Sequence, residues 1–181
     1  HVDCFGEAED LYLKALRIFR KLGKRRDEGV TETHLGILHL ESGSYRKALE
    51  HNERSQSIFR EIGYLYGEAV ALTNAANIYA KLHDRSRELR YMDMAATIFG
   101  KAGDTHSLAI TLGNRANTLN SVGRLQEAHH AYIEAIELHL KTGNRRSEEK
   151  SRTNHAHNLR IRGLFQDSLE QLARAEKINR L

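Results

Sequence analysis

The sequence predicts an all-α fold, a solenoid of antiparallel helix pairs, and two observations carry this prediction. Glycine recurs every 40 residues in two columns, and only His83 interrupts them. The first column is Gly23, Gly63, Gly103 and Gly143, and the second is Gly43, Gly123 and Gly163. The 181 residues contain no proline, so the strongest helix breaker is absent. A fixed period of this length is typical of stacked repeats, which mostly bind other chains.

The apolar spacing between the glycines predicts nine helices. We expect each repeat to be a helix, a turn of two or three residues and a second helix, with glycine at the helix end in the left-handed conformation that other residues resist. The expected helices span residues 6–22, 25–42, 45–61, 65–82, 85–101, 105–122, 125–141, 145–162 and 165–179.

The odd number of helices determines how the domain is interpreted. We interpret residues 1–181 as a single domain that opens with the second helix of a truncated repeat at 6–22. Four full repeats follow at about 25–61, 65–101, 105–141 and 145–179. Because the sequence begins His-Val-Asp-Cys rather than with methionine, we expect it to be a fragment of a longer protein. Both terminal helices are then expected to expose apolar surface.

Columns of similar residues at the same period predict which faces are buried. We expect one apolar column to lie in the core: Ile18, Ile58, Ile98, Leu138 and Ile178. Small residues form a column on the first helix of each repeat, Gly36, Ala76, Ala116 and Ala156, and another on the second helix, Ala8, Ala48 and Ala128. Small side chains allow two helices to approach to the roughly 8–10 Å that close packing requires.

These columns, with Tyr79 and Leu119 after the small residue and Ala95 and Ala135 in the second helices, resemble the tetratricopeptide repeat (TPR). The usual TPR period is shorter, about 34 residues. A 40-residue version is similar to the subclass found in Partner-of-Inscuteable adaptors and bacterial signalling proteins, and the phrases at 23–29 and 143–149 favour the bacterial group. The resemblance covers essentially the whole chain. It implies a right-handed TPR superhelix with a concave groove that holds extended peptides.

Two departures from the family pattern predict irregular repeats. His83 and Glu88 stand where glycine and alanine are usual, so we expect an altered turn there. Glu32 and Arg152 occupy the position that is Leu72 or Leu112 in the other repeats, and looser packing is expected around them.

A polar stripe on the first helices is the candidate binding surface. Residues three apart lie about 60° apart around a helix, so the two members of each pair point the same way. Six asparagines inside helices cost together about 3 kcal/mol relative to alanine, and a repeated local penalty at one geometric position indicates function. The stripe comprises Asn74, Asn77, Asn114, Asn117, Asn120, Asn154, His34, His157 and Thr73, with the cations Lys81, Lys150 and Arg160 beside it.

Two interpretations of this stripe stay open. An amide offers a donor and an acceptor, so the asparagines suit the backbone of a bound peptide, and the TPR resemblance places such residues in the groove. Alternatively, the amides tie neighbouring helices to one another. The leading function is therefore a protein- or peptide-binding scaffold in a bacterial signalling or regulatory protein, with an acidic partner favoured by the flanking cations and the net charge of +4. The other candidate is a structural or self-assembly module that associates through its terminal helices.

Composition and spacing disfavour other classes. The sequence has no long basic run with interleaved aromatic residues, so nucleic-acid binding is disfavoured. It also has no apolar run that approaches the roughly 18 residues of a membrane span. The histidines lack the helical spacing of a zinc site, and no nucleophile has a placed base, so we expect no metal, cofactor or catalysis. The single cysteine, Cys4, fits a reducing compartment and predicts a cytoplasmic protein.

Overall fold

The computed structural model describes residues 2–180, with side chains from residue 5 onward, so the side chain of Cys4 lies outside the described part. Over this part the chain forms nine α-helices and no strands. The helices α1 to α9 are Val2–Lys21, Arg25–Glu41, Tyr45–Glu61, Leu65–Lys81, Arg85–Ala102, Thr105–Ser121, Leu125–Thr142, Arg145–Ile161 and Phe165–Asn179. The prediction of an all-α fold of paired helices is confirmed. The first helix begins four residues before its predicted start, and the other boundaries agree to within one residue.

The helices pack into two compact units, residues 1–98 and 99–181, which divide the chain within α5. In unit 1, α2 packs against α1, α3 and α4, and α3 also packs against α4. In unit 2, α6 packs against α7 and α8, and α8 also packs against α7 and α9. In each unit, therefore, two first helices of successive repeats touch directly and share a second helix beneath them.

Small residues are buried where the helices approach most closely. Ala76, Ala116 and Ala156 are at most 1% exposed, and Ala48 and Ala128 are fully buried. A Cβ atom added at Gly36 would lie 3.3 Å from the carbonyl oxygen of Ala48, so α2 and α3 meet almost backbone to backbone. The predicted small-residue columns therefore mark the helix contacts.

The apolar isoleucine column was predicted to be core throughout, and this is wrong at its first member. Ile58 is 6% exposed and Ile98, Leu138 and Ile178 are half-buried, whereas Ile18 is 55% exposed. Ile18 belongs to α1, where Leu16 is buried instead.

Every turn between helices contains one residue in the left-handed conformation, and His83 takes it as glycine does. The φ angles are 64° to 79° at the seven periodic glycines and 58° at His83. The amide of His83 donates to the carbonyl of Ala80 at 3.1 Å, as that of Gly123 donates to Asn120 at 3.2 Å. The expectation of an altered turn is therefore wrong. The hydrogen bonds that end the helix hold the backbone of His83 at positive φ, and the cost is a close contact between its Cβ atom and the backbone.

The two charged residues that replace leucine are buried rather than loosely packed. Glu32 is fully buried, with one carboxylate oxygen 2.8 Å from Nη2 of Arg20 and the other 2.7 Å from Nδ1 of His51. Arg152 is 6% exposed and donates to Glu148 at 2.8 Å and to Gln171 at 2.9 Å. Looser packing was the wrong expectation, because each charge is surrounded by partners that satisfy it.

Glu88 likewise occupies a buried position. It is 3% exposed in the column where Ala48 and Ala128 are fully buried. Nη1 of Arg85, one helical turn earlier, lies 2.6 Å from its carboxylate. Repeat two therefore keeps its geometry with a buried acid in place of alanine.

Replacing His83 with glycine should stabilise the protein. Only glycine adopts positive φ without a steric penalty, so His83→Gly is expected to raise the free energy of unfolding by about 1 kcal/mol. Urea unfolding followed by circular dichroism measures this change. The reciprocal variant Gly123→His is the matched control and should lose a similar amount. Equal stability of His83→Gly and the wild type would show that the turn at His83 carries no strain.

Candidate peptide-binding surface

The predicted stripe is distributed over the first helices of both units. In unit 1, His34 lies on α2, and Thr73, Asn74, Asn77 and Lys81 lie on α4. In unit 2, α6 carries the three residues Asn114, Asn117 and Asn120, and α8 carries the four residues Lys150, Asn154, His157 and Arg160. The exposed members are His34, Asn77, Lys81, Asn114, Lys150, His157 and Arg160, and the remaining five are half-buried.

In unit 2, the half-buried amides bond to one another across the helices. Oδ1 of Asn117 accepts hydrogen bonds from Nδ2 of Asn154 at 2.9 Å and from the hydroxyl of Tyr132 at 2.8 Å. Oδ1 of Asn120 accepts from Nδ2 of Asn158 at 2.9 Å, and the same nitrogen reaches the carbonyl of Leu125 at 3.0 Å. Here the second interpretation of the stripe applies, because these amides fasten α6 to α7 and α8.

These ties leave part of each amide available. The two lone pairs of the Asn117 oxygen are used by its two donors, while the Nδ2 hydrogens remain. Asn154 spends one of its N–H groups on Asn117 and keeps its oxygen as an acceptor. Asn117 thus keeps a donor and Asn154 keeps an acceptor, which are the two kinds of group that pair with the carbonyl and the N–H of a peptide unit.

A groove of about 390 Å³ opens over this pair. Asn117, Asn120 and Ser121 line it from α6, Tyr132 from α7, and Asn154, His157 and Ile161 from α8. Its size suits a short stretch of peptide. Nη2 of Arg160 lies 3.2 Å from Nδ1 of His157, so the arginine is held at the same edge.

The stripe residues of unit 1 are less connected. The hydroxyl of Thr73 donates to the carbonyl of Ala69 at 3.0 Å, within its own helix. Asn77 is exposed, unlike its half-buried counterpart Asn117 in unit 2. Asn114 of unit 2 is exposed too, and among the described side chains none hydrogen-bonds to the amide of Asn77 or Asn114. Nδ2 of Asn74 is buried and has no partner among residues 5–180.

Asn158 is a groove-supporting residue that the sequence reasoning missed. It is fully buried, and its Nδ2 joins Asn120 to the start of α7. A signal was available, because Asn158 stands in a column that is Leu38 and Ile78 in unit 1 and Thr118 in unit 2. A buried amide in a column that is apolar in unit 1 indicates a specific hydrogen-bond partner.

Beneath the groove lies a buried cluster of aromatic and imidazole rings. Nδ1 of His129 on α7 is 2.8 Å from Nε2 of His155 on α8, and the His155 ring is 5.7 Å from that of Tyr132. Burial lowers the pKa of His155 to about 4, with His129, Arg162 and Arg152 adding in the same direction. Burial also lowers the pKa of His129 and raises that of Tyr132 to about 12. Both histidines are therefore neutral near pH 7, and one donates to the other.

The described residues contain no group of three His, Cys, Asp or Glu side chains arranged to hold a metal ion. Of the helices in this part of the chain, none is long and apolar enough to cross a bilayer.

The fold and this surface define the class as an α-helical repeat protein with a polar groove on its first helices. Two tetratricopeptide repeat family models match the sequence, one over residues 1–61 and the other over residues 108–142, and together they cover more than half of it. The chain belongs to the tetratricopeptide repeat family.

Solved structures share the fold at low sequence identity. BtubC (BKLC) from P. vanneervenii has a TM-score of 0.87 at 22% identity, over 97% of this chain and 73% of that one. The TPR-like repeats of a putative kinesin light chain from Podosopora anserina have a TM-score of 0.75 at 17% identity, over 97% and 87%. The apo form of RapI has a TM-score of 0.71 at 16% identity, over 94% and 75%. At these identities the likeness shows the fold alone. No curated protein matches the sequence.

The buried imidazole pair should make stability fall as the solution is acidified. The pKa of His155 is about 4 in the folded state, against an ordinary value of 6.5, so between these values the unfolded chain binds more protons. The neutral His155 ring makes its full contribution to the free energy of unfolding above pH 6.5. About 2 kcal/mol of that free energy should be lost between pH 7.5 and pH 5.0. Urea unfolding at both pH values measures the loss.

His155→Leu places the residue found at Leu35 into this position, and it should lose less stability on acidification than the wild type. The matched control is Ser168→Ala, which removes the buried hydrogen bond from Ser168 to the carbonyl of Ala156 without removing a titrating group. It should be weaker at both pH values and keep the wild-type difference between them. If His155→Leu loses as much unfolding free energy between pH 7.5 and pH 5.0 as the wild type, His155 is not the source of the pH dependence.

Proposed function

We propose that the protein is a scaffold that binds an extended peptide segment of a partner protein, and that the groove of unit 2 receives it. The observation that carries this proposal is that the Asn117 donor and the Asn154 acceptor, both on residues that line the groove, have no partner among the described residues. Their mutual hydrogen bond holds both amides in place before binding, so little side-chain freedom is lost when a peptide backbone replaces water. Family membership supports an interaction role in general.

Exposed cations on the first helices favour an acidic partner. Lys81, Lys150 and Arg160 are exposed on the first helices, and the whole chain carries a net charge of +4. Exposed charges of this kind act mainly on the rate of encounter and the choice of partner. The phrases at 23–29 and 143–149 support a bacterial signalling or regulatory protein of the 40-residue TPR subclass, and a cytoplasmic location agrees with the single cysteine.

Selection of linear peptides from a phage-displayed library against the full chain tests the groove. Peptides that bind the wild type should bind the double variant Asn154→Ala, His157→Ala at least tenfold more weakly, because a peptide loses the acceptor and one wall of the groove. The matched control is Glu134→Ala, an exposed residue of α7 outside the groove, which should retain wild-type affinity. Isothermal titration calorimetry measures both. Binders that are insensitive to the double variant would overturn the assignment.

The second candidate, a self-assembly module, is favoured by apolar exposure on the terminal helices. Leu11 and Ile18 on α1 are 65% and 55% exposed, and Phe165 and Leu169 on α9 are 64% and 60% exposed. Such faces mark contact surfaces when they are contiguous.

Sedimentation velocity over a hundredfold range of concentration separates the two candidates. The scaffold proposal predicts a monomer that still binds the selected peptides. A self-assembly module predicts oligomers that Phe165→Glu and Leu169→Glu together dissociate, since a charge placed in an apolar contact is costly. Peptide binding that disappears together with the oligomer would favour the second candidate.

A further inference from the structure

Two cavities occupy equivalent places, one in each unit, and their chemistry differs. In unit 1, a cavity of about 160 Å³ lies between α2 and α4 and is lined by Phe59, Gly67 and Val70, among others. In unit 2, a cavity of about 70 Å³ lies between α6 and α8, and the equivalent lining residues are His139, Ser147 and Lys150. We call the second one the α6–α8 cavity. Each of the three substitutions exchanges an apolar or absent side chain for a hydrogen-bonding one.

The apolar cavity of unit 1 depends on glycine. A Cβ atom at Gly29 would lie 2.6 Å from Cε1 of Phe59, and one at Gly67 would lie 2.7 Å from Cγ of the same ring. Phe59 therefore fills the space that larger residues on α2 and α4 would need. The hydroxyl of Thr33, which also lines this cavity, is already bonded to Ser55 at 2.6 Å and to the carbonyl of Gly29 at 3.1 Å.

The α6–α8 cavity, in contrast, contains donors that no described residue uses. Gly113 stands where unit 1 has Thr33, and a Cβ atom there would come within 3.4 Å of the Ser151 hydroxyl, so the glycine keeps that hydroxyl uncovered. Ser147, Ser151 and Asn114 line the cavity together with the ammonium-bearing side chain of Lys150. Ser147 belongs to the first turn of α8, where the helix dipole also favours negative charge.

His139 is the second, independent sign of a ligand. The ring is 2% exposed and lines the cavity, and within residues 5–180 no group hydrogen-bonds to its Nδ1. A buried ring nitrogen without a partner costs free energy, and it occupies the column that holds the apolar Phe59. Burial lowers the pKa of His139, so the ring is neutral near pH 7 and able to donate from one nitrogen.

The local charge is positive. The nearby carboxylate, Glu148, is 7% exposed and accepts from Nε of Arg152 at 2.8 Å, so that carboxylate is already paired. Lys150 is exposed and is not in an ion pair with any described residue. A cavity of about 70 Å³ has room for a few water molecules. A carboxylate or a phosphate group needs a similar space.

We propose that the α6–α8 cavity is a binding site for one oxyanion group, a carboxylate or a phosphate, held by Lys150, the hydroxyls of Ser147 and Ser151, and His139. That the oxyanion is carried on a side chain or terminus of a partner chain rests on the proposed function, whereas the site itself does not. The equivalent cavity of unit 1 has Phe59, Gly67 and Val70 in place of His139, Ser147 and Lys150.

Titration of the full chain with free ions tests the site without a partner. Sodium phosphate and sodium acetate are added separately at pH 7 and constant ionic strength, and the backbone amides of Ser147 and Ser151 and the imidazole of His139 are followed by NMR. Saturable shifts in these groups are expected with phosphate, with acetate or with both, and the ion that saturates at the lower concentration identifies the preferred source. Shifts that are linear in concentration, or that sodium chloride reproduces, would overturn the proposal.

Lys150→Val introduces the residue that unit 1 has at Val70, at an exposed position that should not affect folding. It should weaken the saturable binding at least tenfold, and Lys47→Val, at an exposed lysine of α3 in unit 1, is the matched control that should leave it unchanged. Retained affinity in Lys150→Val would also reject the site. Because the titration uses free ions, a failure of the peptide selection leaves its outcome intact, and the two proposals fail separately.

Discussion

The left-handed residue that ends each helix is the constraint on which the rest of the structure depends. It recurs at a constant spacing from Gly23 to Gly163, and it gives the helices between these two glycines nearly equal lengths. Equal lengths bring equivalent residues of successive helices to equivalent places. His83 shows that the requirement lies in the backbone, since the turn keeps its φ angle and hydrogen bonds without glycine. The cost of a Cβ atom there is small compared with the packing that the turn preserves.

This regular frame lets a single position change its chemistry without changing the fold. One position of the repeat is Leu72 or Leu112 in two repeats and Glu32 or Arg152 in the other two, and all four residues are buried. The leucines are held by apolar packing, and the charged residues are held by ion pairs. A buried charge costs several kcal/mol unless it is paired, and both charges have their partners on the same or the adjacent helix. Compensation is therefore local, and each repeat specialises without disturbing the next.

Much of the architecture is predictable from the sequence, because helix ends and small-residue contacts depend on local periodicity. The pairing of polar groups is not, because the partners come from different helices. Asn117 bonds to Asn154, 37 residues later, and Glu32 bonds to Arg20 and His51, which come from the helices before and after it. The burial of Glu32 likewise cannot be predicted from its residue type, since a glutamate is ordinarily exposed. A polar residue in an apolar column predicts that a partner exists, but only the packed helices identify it.

The two interpretations of the asparagine stripe are compatible in one amide. The side-chain oxygen of Asn117 on α6 accepts hydrogen bonds from Tyr132 on α7 and Asn154 on α8. These bonds use the oxygen and leave the side-chain nitrogen as a donor. The bond that fastens the helices therefore also orients the donor that faces the groove. An unsupported amide such as Asn77 is free to rotate and loses more conformational freedom when a ligand fixes it. For the same number of contacts, we therefore expect the supported amides of unit 2 to bind a peptide more strongly than the exposed amides elsewhere on the stripe.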